Sequence, residues 1–169
     1  RNPIILDNTL FITISQSGET ADTLEALKAV KKRSKNKNIH TLTICNSAES
    51  SLTRESELTF LTHAGPEIGV ASTKAFTTQL VSLALLSVAV GRCHKRVSKQ
   101  QEATIVDGLN RLPGLIKKTL EQEVQIKELA KTFKDKFNAI FLGRGTMHAI
   151  AMEGALKLKE ISYIHAEAF

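Results

Sequence analysis

The alternation of apolar and polar positions divides the chain into strands and helices in a regular order. β-branched and aromatic residues fill positions 9–15, "TLFITIS", and predict a buried strand that ends at a turn. Helical spacing of apolar residues follows through 21–35. Further strands are predicted at 39–45, "IHTLTIC", and at 58–62, "LTFLT". Strands alternating with helical segments predict a parallel sheet covered by helices.

The remainder of the chain is predicted to be mainly helical. From about Ser72 to Val90 the sequence is apolar nearly all round, which predicts a buried helix. Helices with polar faces are predicted over 98–136, with a break at Pro113 and Gly114. A strand, a Gly-rich turn and a helix with small residues for close packing follow in "AIFLGRGTMHAIAMEGALKLKEIS".

These elements predict an α/β fold with two partial units. Residues 1–97 form the first unit, residues 98–136 are connecting helices, and residues 137–169 begin the second unit. The last residues, "SYIHAEAF", are typical of a strand that is just starting. Because a parallel sheet needs neighbouring strands, we expect the chain to be part of a longer protein.

The net charge of +6 raises the possibility of a nucleic-acid or membrane partner. Six basic residues lie together with no acid between Ala26 and Ala48: Lys28, Lys31, Lys32, Arg33, Lys35 and Lys37. Cations at the end of a helix stabilise its dipole, which is the more common role for such a run. No aromatic residues interleave to stack on bases, so we expect no nucleic-acid partner.

Membrane insertion and metal binding are not favoured by the sequence. The stretch "LVSLALLSVAVG" at 80–91 is short for a bilayer span, and no signal segment opens the chain, so we expect a cytoplasmic protein. The two cysteines are too few for a disulfide framework and are expected to be reduced. Neither they nor the histidines show metal-ligand spacing, so no metal is predicted.

A group of small polar residues, "SQSGETADT", stands between the first strand and the first helix. The N-terminus of a helix presents unpaired N–H groups and attracts anions, and the hydroxyls of Ser15, Ser17 and Thr20 add donors. The alternative is a simple helix cap, with Ser17 as N-cap and Glu19 in the first turn. Three hydroxyls and a glutamine exceed what a cap requires, so a phosphate site is predicted.

A second loop, "GPEIGVASTKAF", offers Val70, Ser72 and Thr73 at the start of the apolar helix. Ligands of open parallel sheets bind at the carboxyl ends of strands, and both loops follow strands, so we expect them to face one crevice. On local grounds Ser72 and Thr73 are equally well explained as helix caps. A nucleotide is disfavoured because no GxxxxGK[ST] motif occurs and residues 143–148 lack the third glycine of the dinucleotide fingerprint.

Three charged residues share one face of the last helix. Glu153, Lys157 and Glu160 are spaced four and three apart. Exposed Glu–Lys ladders of this kind are usually solubility features, and spacing alone favours that interpretation.

Three motifs of the chain resemble those of a known family. "SQSGETADT" is similar to the sugar-phosphate loop of sugar isomerase (SIS) domains, which are flavodoxin-like parallel sheets flanked by helices. "EIGVASTKAFTTQL" and "EGALKLKEISYIHAEAF" are more specific and resemble the isomerase half of the glutamine:fructose-6-phosphate aminotransferase family. The resemblance runs through the whole chain.

The resemblance implies substrates and residue roles. Fructose 6-phosphate and ammonia would become glucosamine 6-phosphate, with a first unit completed by a second. Ser15, Gln16, Ser17 and Thr20 would hold the phosphate, while Val70 and Ser72 would line the sugar site. Lys157 and Glu160 would be catalytic, with Glu160 moving a proton between two carbons. These site residues are Ser15, Gln16, Ser17, Thr20, Val70, Ser72, Lys157 and Glu160.

The family pattern also implies partners and missing parts. It implies a homodimer, a glutaminase domain in the same polypeptide, and neither a metal nor an organic cofactor. The Gly-Thr-Ser loop, the ring-opening histidine and the Schiff-base lysine of the family are not in this sequence, so we expect the chain alone to be inactive. Two alternatives stay open: a regulatory sugar-phosphate sensor without chemistry, and a deglycase acting on fructosamine phosphates.

Overall fold

The structure is a computed structural model that describes residues 4–33 and 38–169. Lys35 and Lys37 of the predicted basic run, and the predicted helical residues 34 and 35, lie outside the described residues. Contacts divide the chain into two compact units, Arg1–Ile68 with Thr73–Cys93 and Gly69–Ser72 with His94–Phe169. The predicted α/β class with parallel sheets is confirmed. The predicted boundaries at 97 and 136 stay predictions.

The first unit contains a three-stranded parallel sheet with the order β1-β2-β3. Its elements are β1 (Thr9–Ser15), α1 (Ala21–Arg33), β2 (Ile39–Cys45), α2 (Ser51–Glu55), β3 (Leu58–Leu61) and α3 (Lys74–Cys93). The register pairs Ser15 with Cys45 and Cys45 with Leu61. The three strands therefore end side by side, and the turns that follow them lie at one edge of the sheet.

The core of the first unit lies around the central strand. β2 has neighbours on both sides, and its residues from Thr41 to Cys45 are all buried. Leu27 of α1, Ile44 of β2 and Leu52 of α2 are fully buried. The Thr13 and Thr43 hydroxyls are hydrogen-bonded to each other inside the sheet, so these two buried hydroxyls are satisfied there.

The prediction that the apolar helix is buried is wrong for this chain. The buried residues of α3 are Ala75, Ser82 and Val88, whereas Leu80 and Leu85 are 43% and 40% exposed. A helix that is apolar all round needs cover on most of its sides, and a sheet of three strands supplies only part of it. The expectation that the apolar stretch is too short to span a bilayer is wrong too. The helix around it, α3, has 20 residues and is long and apolar enough to cross a membrane by length and composition alone.

The second unit contains helices and a two-stranded parallel sheet, β4-β5. Its elements are α4 (Lys99–Leu120), α5 (Glu123–Lys131), β4 (Asn138–Phe141), α6 (Thr146–Ser162) and β5 (His165–Ala168). The predicted break at Pro113 and Gly114 is wrong, because α4 continues through both. Pro113 removes one N–H donor from the helix. The helix tolerates this loss because it has 22 residues, and a capping box at Ser98 stabilises its start.

Small residues of α6 allow the helix to lie against its sheet, as predicted. Ala151 and Ala155 are buried, and a Cβ on Gly154 would lie 2.9 Å from the ring of Phe141. The strand predicted in "SYIHAEAF" is present as β5, parallel to β4.

Candidate functional site

The turn after β1 gathers the predicted phosphate-binding hydroxyls. The buried Ser15 Oγ accepts a hydrogen bond from Gly18 N–H at 3.0 Å and lies 3.0 Å from Thr20 Oγ1. Ser17 Oγ accepts from Glu19 N–H at 3.2 Å and belongs to an exposed residue. Gln16 lies between them on the same turn. The four residues predicted to bind phosphate therefore form one compact turn at the carboxyl end of β1.

The alternative explanation, that Ser17 caps the helix, is not what the structure shows. α1 begins at Ala21, and its first hydrogen-bonded amide is Leu24 N–H, which donates to Thr20 O at 3.0 Å. Within residues 4–33 and 38–169, no acceptor is found for the N–H groups at 21–23. By contrast, Ser50 and Ser98 accept amide hydrogen bonds at the starts of α2 and α4. The start of α1 thus offers donors that an anion can use.

Glu19 is turned away from those donors. Its carboxylate accepts a hydrogen bond from Ser51 N–H, the first residue of α2, at 2.7 Å. Hydrogen bonds from the Ser51 hydroxyl and then from its N–H lower the pKa of Glu19. The only acid in the turn is therefore engaged by the neighbouring helix, which removes the conflict between a carboxylate and a phosphate at the same turn.

Gly18 is required by packing as well as by conformation. Its φ is +72°, a region that residues with a Cβ rarely adopt. A Cβ here would lie 2.0 Å from Ser50 Oγ and 2.7 Å from Cys45 Sγ. The absence of a Cβ at this position therefore lets the turn lie against the end of β2 and the start of α2.

The helix that follows the second predicted loop, α3, is capped by an acid that the sequence analysis did not identify. The carboxylate of Glu67 accepts hydrogen bonds from Thr73 N–H at 3.2 Å and from Ala75 N–H at 3.0 Å, at the start of α3. Ser72 is half-buried and Val70 is 97% exposed. Glu67 therefore supplies the cap that was considered for Ser72. The preference for carboxylates near helix N-termini is the signal that could have indicated it.

The charged residues of α6 form a chain of ion pairs in the second unit. Lys157 Nζ lies 2.7 Å from Glu160 Oε2 and 3.4 Å from Glu153 Oε1. The hydrogen bond to Glu160 raises the pKa of Lys157, with a smaller contribution from Glu153. The prediction that these three side chains share a face is confirmed. The Lys157 side chain is 25% exposed, and its Nζ is held between the two carboxylates.

No group of three or more His, Cys, Asp or Glu residues able to hold a metal ion occurs in the described part of the chain. Cys45 is buried and Cys93 is exposed, and both are free thiols.

A comparison with protein-family models finds the SIS domain over residues 2–89, just over half of the chain. The chain belongs to the SIS domain family. This match includes the turn at residues 15–20 that is predicted to bind phosphate (the phosphate turn) and the loop that carries Val70 and Ser72, and it confirms the resemblance to SIS domains found in the sequence. The parallel sheet of the first unit is therefore that of an SIS domain.

Relatives of this SIS chain carry a more specific name. It is 54% identical to a glutamine–fructose-6-phosphate aminotransferase (isomerizing) of Acinetobacter baylyi and 55% identical to that of Haemophilus ducreyi, over all of the chain in both cases. The chain spans 28% and 27% of the length of these two relatives.

A solved structure agrees with these relatives. The C-terminal domain of glucosamine-fructose-6-phosphate aminotransferase from Francisella tularensis is 49% identical, with a TM-score of 0.94. The match covers 100% of this chain and 46% of that one.

Proposed function

We propose that the chain is the central part of the isomerase half of an enzyme that converts fructose 6-phosphate and glutamine-derived ammonia to glucosamine 6-phosphate. The observation that carries this proposal is the identity of 54–55% to enzymes of that name along the whole chain. The phosphate turn and the Lys157–Glu160 pair support it, because clustered hydroxyls suit an anion and a carboxylate beside a cation suits acid–base chemistry. The sensor and deglycase alternatives have no comparable support.

The phosphate of the sugar binds the turn after β1 in this proposal. The hydroxyls of Ser15, Ser17 and Thr20 and the Gln16 side chain supply neutral donors, and the uncapped N–H groups at the start of α1 add a favourable dipole. Val70 and Ser72 line the sugar. Neutral donors at a helix N-terminus suit a phosphate that must bind and leave again during each turnover.

Glu160 acts in this proposal as the group that moves a proton between the two carbons of the isomerisation. Such a group must first accept a proton and then return it, which a carboxylate beside the sugar can do. Lys157 orients this carboxylate through their 2.7 Å hydrogen bond and can stabilise charge on a substrate oxygen.

The proposal also covers partners and location. The chain is part of a longer, cytoplasmic polypeptide with a glutaminase domain, acts as a homodimer in the synthesis of amino sugars such as UDP-N-acetylglucosamine, and needs no metal, organic cofactor, nucleic acid or membrane. α3 is a domain helix in this proposal, because most of it lies within the segment that matches the SIS domain.

The test uses the full-length protein and the double variant Ser17→Ala with Thr20→Ala. We expect affinity for fructose 6-phosphate and for inorganic phosphate, measured by calorimetry, to fall roughly 10²-fold, because two hydrogen bonds to a charged group are lost at about 1.5 kcal/mol each. The matched control is Thr104→Ala with Thr119→Ala, which removes two exposed helix hydroxyls bonded only to backbone carbonyls. Unchanged affinity in the first variant contradicts the phosphate assignment.

A further inference from the structure

Asn46 directly follows β2 and touches the phosphate turn through its backbone. Its N–H donates to Gln16 O at 3.1 Å. The neighbouring Cys45 Sγ lies 3.6 Å from the same carbonyl oxygen. Because β1 and β2 pair in register up to Ser15 and Cys45, this bond extends the sheet by one step into the turn.

The side chain of Asn46 holds the loop after β3. Its Oδ1 accepts hydrogen bonds from Ala64 N–H at 2.8 Å and from Thr62 Oγ1 at 3.1 Å, and its Nδ2 donates to Gly65 O at 2.8 Å. The partners fix the orientation of the amide, since an N–H donor must face the oxygen and a carbonyl must face the nitrogen. One side chain therefore secures the loop at three of its four positions from Thr62 to Gly65.

This loop adopts a backbone conformation that needs support. His63 has φ of +51° and Gly65 has φ of +69°. A non-glycine residue in the left-handed region is held there by its surroundings, and in this loop the surroundings include the three bonds to Asn46. The loop leads along the chain directly to the segment that carries Val70 and Ser72.

We propose that Asn46 is a positioning residue for sugar-phosphate binding, because it joins the turn that holds the phosphate to the Thr62–Gly65 loop. This inference rests on the proposed function and adds a residue to it. Asn46 need not touch the substrate. Its role is to hold the turn at a fixed distance from this loop at the carboxyl edge of the sheet, so its loss lets the turn shift and weakens binding of the phosphate that the turn holds.

Asn38 provides a matched control at the other end of the same strand. It directly precedes β2, and its Nδ2 donates to Asn8 Oδ1 at 2.8 Å. Asn46→Ala and Asn38→Ala both remove an amide that joins two loops, but only the first lies at the carboxyl edge. In the full-length enzyme we expect Asn46→Ala to raise KM for fructose 6-phosphate about tenfold, equivalent to about 1.4 kcal/mol, with kcat changed less than about threefold.

We expect Asn38→Ala to leave KM within about twofold of the parent even if it lowers the melting temperature as much as Asn46→Ala. A KM change that is equal in the two variants overturns the positioning role and leaves a purely structural one. If Asn46→Ala does not fold, Thr62→Val removes one of the three bonds and is expected to raise KM by a smaller factor. An unchanged KM in that variant likewise overturns the inference.

Measurements on the parent enzyme test the proposed function separately from the role of Asn46. A parent enzyme that forms no glucosamine 6-phosphate and binds no fructose 6-phosphate contradicts the proposed function itself. A parent that does both, combined with a normal KM in Asn46→Ala, contradicts only the role of Asn46.

Discussion

Replacing Gly18 by alanine tests how tightly the phosphate turn is packed. The new Cβ would lie 2.0 Å from Ser50 Oγ, 2.4 Å from Ser50 Cβ and 2.7 Å from Cys45 Sγ. Ser50 cannot move aside freely, because its hydroxyl caps α2 by accepting a hydrogen bond from Thr53 N–H in the first turn. The φ of +72° adds backbone strain of its own.

Two other glycines separate these contributions. Strain costs about 1–3 kcal/mol and overpacking about 1–3 kcal/mol, so Gly18→Ala should lower the free energy of unfolding by roughly 2–6 kcal/mol. Gly145 has φ of +59°, and a Cβ added there would have no neighbouring atom within 4 Å, so Gly145→Ala brings backbone strain without overpacking. Gly114 lies within α4 with equally open space, and Gly114→Ala should stabilise by roughly 0.5–1 kcal/mol.

The assay is chemical denaturation of the full-length variants, monitored by circular dichroism. The midpoints compared are those of the unfolding transition that the substitutions shift. The expected order of midpoints is Gly114→Ala highest, then the parent, Gly145→Ala and Gly18→Ala. Calorimetry should also show weaker fructose 6-phosphate binding by Gly18→Ala, since the turn must move. A Gly18→Ala variant as stable as Gly145→Ala refutes the argument, because Ser50 and Cys45 would then give way without cost.

Two further predictions concern charged residues. Glu160→Gln should lower kcat by roughly 10²–10⁴-fold, the usual contribution of an acid–base group, while Glu153→Gln should lower it much less. If the Glu160→Gln variant exchanges the substrate hydrogen with deuterated water as fast as the parent, the proton-transfer role of Glu160 is contradicted. Glu19→Gln should reduce the melting temperature at neutral pH, because hydrogen bonds from Ser51 lower the Glu19 pKa and stabilise the fold above the unfolded pKa. The difference should vanish as pH falls through the lowered pKa, and a pH-independent difference contradicts it.

The strands were predictable because their signals are local. β1 and β2 have the predicted bounds, and β3 ends one residue earlier than predicted. α2 was missed because five residues give no helical periodicity, and its start depends on Ser50 and on Glu19 from a distant turn. The exposure of α3 could not be read from its composition, since cover depends on what surrounds a helix.

The candidate site was predictable where its residues are contiguous. The turn from Ser15 to Thr20 and the spacing of Lys157 and Glu160 can both be read from the chain. Asn46 was missed because its side-chain bonds reach 16 to 19 residues along the sequence. An amide residue directly after a strand, at the edge where ligands of parallel sheets bind, is the signal that could have indicated it.

Because the Cys45 thiol is buried, its rate of chemical modification reports how often the turn packed against it opens. Its sulfur is fully buried between Gln16 O, Ser50 Oγ and the glycine of the turn, so a thiol reagent reaches it only when these groups separate. Cys93 is exposed and reacts without such opening, which gives an internal reference in the same molecule. The lag between the two modifications measures how often the turn opens, and a bound sugar phosphate should lengthen it.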